Sequence, residues 1–454
     1  SIVCYLIGLS PVDPLAHDLY VGRFLNEELP SIPDIDLDYP REIRERLIER
    51  VYDVYGADHA ALVCAFSTYR LRSAVRDVGK ALGLPLPDID RIARLSEPRS
   101  ADNLAEELEH LPEYAARRNT PPWSHLIELA KQLAGFPRHV TQHVGGMIVS
   151  ASPLNEIVPI QPAAMEGRFM CQWDKDSCED ARFIKIDFLA LGMLSLVEEA
   201  LDLIDTTGVE VDLSRIDFND PAVYEMIQAG DTVGVFQVES RAQIQMLRRT
   251  LPVSLNDLVV QVAIVRPGPI VGGAVTPYVQ RRENPDYVPE YDHPRLEPLL
   301  RETLGVILYQ EQVVQVAEEL AGFSAGQADQ LRRAMTRKRS AEAMEAMREE
   351  FIAGCLAQGD VKPEVAEAVF DKLTGFAEYG FPKSHAAAFA LLAYQSCWLK
   401  HYYPAEFLCA LLNNQPMGFY APHVLVNDAK RGGIRVMRPD VNASLVPCTV
   451  EGRR

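Results

Sequence analysis

The stretch Pro33-Asp34-Ile35-Asp36-Leu37-Asp38 alternates carboxylate and aliphatic side chains, the period-two pattern of a β-strand. Asp34, Asp36 and Asp38 therefore share one face, and Ile35 and Leu37 the other. Carboxylates in a row repel one another unless a cation lies among them. Same-face neighbours on a strand stand roughly 7 Å apart at Cα. That spacing suits a pair of divalent ions about 3.5–4 Å apart, the arrangement used for in-line phosphoryl and nucleotidyl transfer. An exposed edge strand with solvated acids is the competing reading, and the stretch alone does not choose between them.

Moving outward, Pro40 closes the strand, and the spacing of Ile43, Leu47, Val51 and Val54 predicts a helix over Arg41–Tyr55. Its other face mixes Arg41, Arg44 and Arg50 with glutamates and reads as solvated. Residues 60–66 read as a second strand. Phe183-Ile-Lys-Ile-Asp-Phe-Leu189 alternates again, with Lys185 and Asp187 opposite Ile184, Ile186 and Phe188. Beside the acidic strand it would add a carboxylate and a cation; a core strand with a structural ion pair is the plainer alternative.

Between these strands, residues 67–80 read as a helix capped by Ser67 or Thr68. Its Arg70, Arg72, Arg76 and Lys80 form a positive run that could grip a phosphate backbone or simply face solvent. Residues 85–124 read as an inserted helical subdomain. In Gly135-Phe-Pro-Arg-His-Val-Thr-Gln-His-Val-Gly-Gly146, His139 and His143 lack the intervening glutamate of a metalloprotease helix. The segment reads as a backbone turn at Gly145-Gly146, with a strand resuming at Met147.

The second half is mostly helical. Ser324-Ala-Gly-Gln327 has the form of a capping box. The helix it opens carries Arg332, Arg333, Arg337, Lys338 and Arg339 beside an apolar stripe of Ala328, Leu331 and Met335. Arginine forks of this kind match a triphosphate. Lys383 and Ser384, at the start of an apolar helix from Ala386 to Lys400, make an anion site, or Ser384 serves only as its cap. A helix over Pro404–Asn413 then gives way to a separate piece, residues 415–454.

The 454 residues suggest about three domains. No run of roughly 18 apolar residues suggests a membrane span. Eight scattered cysteines form no C-x-x-C pair, so they read as buried, reduced thiols of a cytoplasmic protein rather than a zinc or disulfide framework. The net charge of −19 argues against nucleic acid only bluntly, because local arginine clusters decide phosphate contact. Ser1 opens mid-pattern without an initiator Met or a signal peptide, so the chain reads as a fragment.

Taken in order, PDIDLD (33–38), SAVRDVGKALG (73–83), QHVGG (142–146), KIDFLALG (185–192), GVFQVESR (234–241), RPGP (266–269), LYQEQV (308–313), ADQLRRAM (328–335) and GFPKSHAAAFALLAYQSCWLKHYYPAEF (380–407) resemble the bacterial C-family DNA polymerases, the alpha subunit of DNA polymerase III. GFPRHVTQHVGG (135–146), CQWDKD (171–176) and residues 413–442 resemble the error-prone, damage-tolerant paralogue within that family.

The resemblance implies an α+β fold: a polymerase-beta-like nucleotidyltransferase palm with a mixed sheet, a helical thumb insertion and large, mostly helical fingers. It implies palm over residues 1–66 and 140–190, thumb over 67–139, fingers over 191–413, and from 414 the start of a clamp-binding helix-hairpin-helix region. It implies Asp36, Asp38 and Asp187 as the metal-binding catalytic triad for two Mg2+ ions, with Asp34 a neighbour. Lys185, Arg332, Arg333 and Arg23 would contact the incoming deoxynucleoside triphosphate, while Lys383, Ser384 and His385 lie in a fingers motif. Implied partners are primer–template DNA, deoxynucleotides, a sliding clamp in the full-length protein and damage-response accessory proteins. The family's PHP domain and a glycine-serine turn touching the triphosphate precede the position of Ser1, and Leu29 stands where the family usually has arginine. Template-directed synthesis is the leading expectation. The main replicative subunit, a non-catalytic nucleic-acid-binding remnant and a template-independent transferase are the alternatives.

Overall fold

In the computed structural model, residues 2–20, 35–95, 100–266, 269, 273–284, 286–336, 341–376 and 381–451 are described. Arg23, Leu29, Asp34 and the basic residues 337–339 lie outside them. The chain forms two units, Ser31–Ala190 and Ser1–Pro30 with Leu191–Arg454.

The first unit is built on six strands: β1 (Ile35–Tyr39), β2 (Ala60–Thr68), β3 (Pro137–Val149), β4 (Ile160–Pro162), β5 (Phe169–Cys171) and β6 (Lys185–Ala190). Their order is β1-β6-β3-β2-β5-β4, a mixed sheet in which β1–β6 and β2–β5 are parallel. β2 is central, and its residues 60–64 are buried on both faces, as the apolar run AALVC requires. Period two sorts them. Ala60, Leu62 and Cys64 join Ile48, Met147 and Phe188 on one face, while Ala61 and Val63 join Ile148, Cys171 and Cys178 on the other. The first face is covered by the Arg41–Tyr55 helix, whose fully buried residue is Ile48. Burying that one side chain stabilises by about 1.5–3 kcal/mol.

Two expectations change here. The Arg41–Tyr55 helix packs Leu47, Ile48, Val51 and Tyr52 against the sheet, so Leu47 and Val51 face inward as expected, but Val54 is 60% exposed. The segment around Gly145-Gly146 is not a turn but part of one 13-residue strand, β3.

Between β2 and β3 sits a helical insertion whose main helices are Leu71–Ala81, Leu86–Leu95 and Trp123–Leu133. It has its own core, including Leu71, Ile92, Leu104, Trp123 and Leu126. Its ends are pinned where Tyr69 N–H donates to Phe136 O (2.9 Å) and Gly135 N–H to Tyr69 O (3.2 Å). The expected cap at Ser67 or Thr68 is displaced, because β2 runs to Thr68 and the helix begins at Leu71. Ser73 Oγ accepts from Arg70 N–H instead, at 2.9 Å.

The second unit is helical around two cores. One forms about the Lys383–Tyr402 helix, apolar on nearly all sides, with Ala386, Ala387, Ala390 and Ala393 buried. The Leu255–Ile264 and Pro404–Asn413 helices contribute to the same core. The piece from residue 415 is not separate, since Leu425 of the Pro422–Arg431 helix is buried in this core too. The other core joins the Gln310–Ala321, Ala325–Thr336, Ala341–Ala357 and Pro363–Phe376 helices. Among the described residues, no helix is long and apolar enough to cross a membrane.

Candidate active site

β1 and β6 lie side by side in parallel, with Asp36 opposite Asp187 and Asp38 opposite Leu189. Phe188, Ile186 and Tyr39 pack with the core beneath the Arg41–Tyr55 helix, and Tyr39 stacks on Phe188 at 6.1 Å. Strand alternation therefore puts Asp36, Asp38, Lys185 and Asp187 together on the opposite face. Asp36 and Asp38 are exposed on β1, at the sheet edge among the described residues, whereas Asp187 is only 7% exposed. Desolvation raises the carboxyl of Asp38 above the usual carboxylate range.

Lys185 Nζ holds Asp187 Oδ2 at 2.7 Å, both side chains being nearly buried. Asp187 Oδ1 is buried without a hydrogen-bond partner. Such an oxygen, beside two exposed carboxylates on its face, is hard-donor chemistry of the kind Mg2+ takes. Among the described residues, however, no three His, Cys, Asp or Glu side chains stand gathered as an ion-holding cluster.

β3 flanks Asp187 from the other side, with Gly146 as its register partner. A Cβ at Gly146 would lie 3.0 Å from Asp187 Oδ1 and 2.9 Å from His143 Nδ1, and one at Gly145 would lie 2.6 Å from Phe188 O. Gly145 is thus required by close approach to the β6 backbone, whereas a methyl at Gly146 would crowd the His143 and Asp187 side chains. His143 Nδ1 accepts from Gly146 N–H at 2.9 Å. A nitrogen that accepts there cannot also donate, so its 3.7 Å approach to Asp187 Oδ1 is not an ion pair. His139 and His143 share a face of β3 but, four residues apart on a strand, stand roughly 13 Å apart.

Arg44, read from sequence as solvated, ties the site together. Its Nε donates to Phe188 O at 2.8 Å and its Nη2 to Val144 O at 2.6 Å. It also pairs with Glu45, which Arg168 holds at 2.8 Å. One available signal was that Arg44 precedes Ile48 by one helical turn and so shares its inward line.

In the second unit the Ser324–Gln327 capping box forms as read, with Gln327 N–H donating to Ser324 Oγ (3.2 Å) and Ser324 N–H to Gln327 Oε1 (2.9 Å). Ala328, Leu331 and Met335 are buried. Arg332 and Arg333 both bind Asp329, a residue the sequence reading did not single out.

Lys383 Nζ pairs with Glu302 at 2.6 Å, and its backbone N–H donates to Glu311 Oε2 at 3.0 Å. A carboxylate of the protein therefore occupies the helix start that the sequence suggested for an anion. The N-cap is Pro382 rather than Ser384, which is the second residue of the helix. His385 sits between Phe381 (5.0 Å) and Phe389 (4.1 Å), and the Arg266 guanidinium lies 3.6 Å from the Phe381 ring centre. Burial, with Arg266 adding to it, pushes the imidazole down to about 4. Arg70, Arg72 and Arg76 lie exposed on the insertion, and Arg76 approaches Asp90 at 3.8 Å.

Residues 1–190 match the bacterial DNA polymerase III alpha NTPase domain, and residues 193–359 match the bacterial DNA polymerase III alpha subunit finger domain. The chain belongs to the bacterial DNA polymerase III alpha family. It is 47% identical to proteins named Error-prone DNA polymerase from Anaeromyxobacter dehalogenans, over 100% of this chain and 40% of the relative, and Mycolicibacterium paratuberculosis, over 99% and 40%. A protein of the same name from Methylococcus capsulatus is 46% identical over 99% of this chain and 43% of its own length. The chain thus spans about two-fifths of the length of these relatives.

Proposed function

We propose that this chain is the catalytic core of a template-directed DNA polymerase used in error-prone synthesis. The observation carrying the reading is the Asp36–Asp187 register, which puts carboxylates of two distant segments on one face beside a buried, unpartnered oxygen. In this reading residues 1–66 and 140–190 are the palm, 67–139 the thumb and 191–413 the fingers, and 414–454 begin a clamp-binding region. Asp36, Asp38 and Asp187 would hold two Mg2+ ions. When bound, such ions acidify the primer 3′-hydroxyl and offset charge on the leaving pyrophosphate. Lys185 orients Asp187. Lys185, Arg332 and Arg333 would neutralise charge developing on the triphosphate. Primer–template DNA and deoxynucleotides are the substrates; a sliding clamp and damage-response proteins are partners of the full-length protein.

The absence of a gathered three-ligand cluster among the described residues favours a second reading, a nucleic-acid-binding protein that keeps the fold without catalysis. Primer extension by the full-length protein separates them. Asp36→Ala should abolish Mg2+-dependent incorporation while primer–template binding persists. Undiminished extension refutes the triad, and a wild-type protein that binds but never extends establishes the second reading.

A further inference from the structure

The carboxylate beneath the two arginines has no assigned role. Asp329 is 4% exposed. Its Oδ1 accepts from Nε and Nη2 of Arg332, both at 2.8 Å, and its Oδ2 accepts from Nε of Arg333 at 2.6 Å. Arg332 Nη1 also reaches Gln310 Oε1 at 3.4 Å. We propose that Asp329 is a positioning residue that sets Arg332 and Arg333 as one fixed pair for the triphosphate of the incoming nucleotide. The proposal rests on the reading above, in which those arginines meet that triphosphate.

Helix geometry places residues three and four positions on beside the first, so one carboxylate at 329 can serve both guanidiniums. Two guanidiniums side by side would otherwise repel and splay across separate rotamers. A carboxylate shared between them, one oxygen each, draws them together and leaves the trio with net charge +1. The helix itself is anchored by buried Ala328, Leu331 and Met335 and by its capping box, so the pair is fixed on a rigid element. An ion pair that served helix stability alone would sit in solvent, where it is worth about 0.3–0.5 kcal/mol. Burying a carboxylate is costly unless it is fully paired, and helix formation does not require that cost. A preset arginine pair is what polyphosphate recognition does require, because misplacing a contact by an ångström can cost about a hundredfold.

The test is steady-state single-nucleotide incorporation by the full-length protein carrying Asp329→Asn, Asp329→Glu, Arg332→Ala or Arg333→Ala. Asp329→Asn keeps the shape but loses the charge. It should raise KM for the deoxynucleotide about tenfold while kcat changes much less. Asp329→Glu keeps the charge one methylene further out and should give an intermediate KM. Thermal melting of each variant checks folding. A merely structural role would lower the melting temperature and active fraction but leave KM unchanged.

If the arginine variants raise KM and Asp329→Asn does not, the positioning role is overturned alone. If neither arginine variant changes KM or kcat, the reading beneath it fails; if they lower kcat alone, that reading stands and the positioning role for nucleotide binding is overturned. Should Asp329→Asn fail to fold, Asp329→Glu carries the test: a raised KM with kcat retained supports the role, and a wild-type KM overturns it.

Discussion

Arg44→Met isolates the clamp on β6, because methionine keeps an apolar stem in place but deletes the guanidinium. Three interactions are lost. The bond to Phe188 O (2.8 Å) is partly buried and charge-assisted, worth about 1.5–3 kcal/mol. The bond to Val144 O lies at an exposed site, so water replaces most of it. The Glu45 pair contributes at most about 1 kcal/mol, since that side chain is 39% exposed and keeps Arg168. The total is about 2–4 kcal/mol, concentrated on β6 and the Gly145 end of β3. Amide hydrogen exchange by mass spectrometry reads this locally. Protection of peptides spanning residues 141–149 and 183–190 should fall by roughly 30- to 1,000-fold. Peptides in the 71–133 insertion, which has its own core, should change little. Arg44→Lys, able to reach one carbonyl only, should fall between. Unchanged protection in both strands, or an equal loss across the insertion, would refute the clamp.

Gly146→Ala puts a methyl 2.9–3.0 Å from His143 Nδ1 and Asp187 Oδ1. It should destabilise by about 1–3 kcal/mol in urea unfolding and lower primer extension by up to about a hundredfold, whereas Gly432→Ala, with nothing closer than 3.4 Å, should be neutral. A wild-type rate in Gly146→Ala would count against the need for close approach. The third prediction concerns His385, which burial holds neutral down to about pH 4. The unfolded chain takes up this proton near pH 6.5, so stability is complete above that and falls as pH drops towards 4. The loss should reach about 1–3 kcal/mol after allowing for partial solvent access. His385→Gln should flatten that slope; an unchanged acid dependence would remove His385 from the account.

What sequence spacing made legible was local. Period two placed Asp36 with Asp38 and Lys185 with Asp187, and the structure keeps both pairings on their strands. The Arg41–Tyr55 and Pro404–Asn413 helices and the Ser324 capping box were likewise readable, because their hydrogen bonds span three or four residues. Asp329 was readable in principle too, with its arginines at i+3 and i+4 from it, but a single acid among basic residues looks like any solvated pair until its burial is known.

By itself, then, the sequence determined which side chains share a face of each element, and ordered motifs tied the chain to its family. Only the tertiary structure decided what stands opposite each face. Strand partners are non-local, so nothing within residues 33–38 announces that Asp36 meets Asp187 some 150 positions later. Gly145, suited to a turn, became part of a strand where two backbones must touch. Arg44, polar by composition, turned inward because the carbonyls of residues 144 and 188 wait there. A side chain's periodicity sets its direction; its partner, and hence its chemistry, comes from segments the chain brings up from elsewhere.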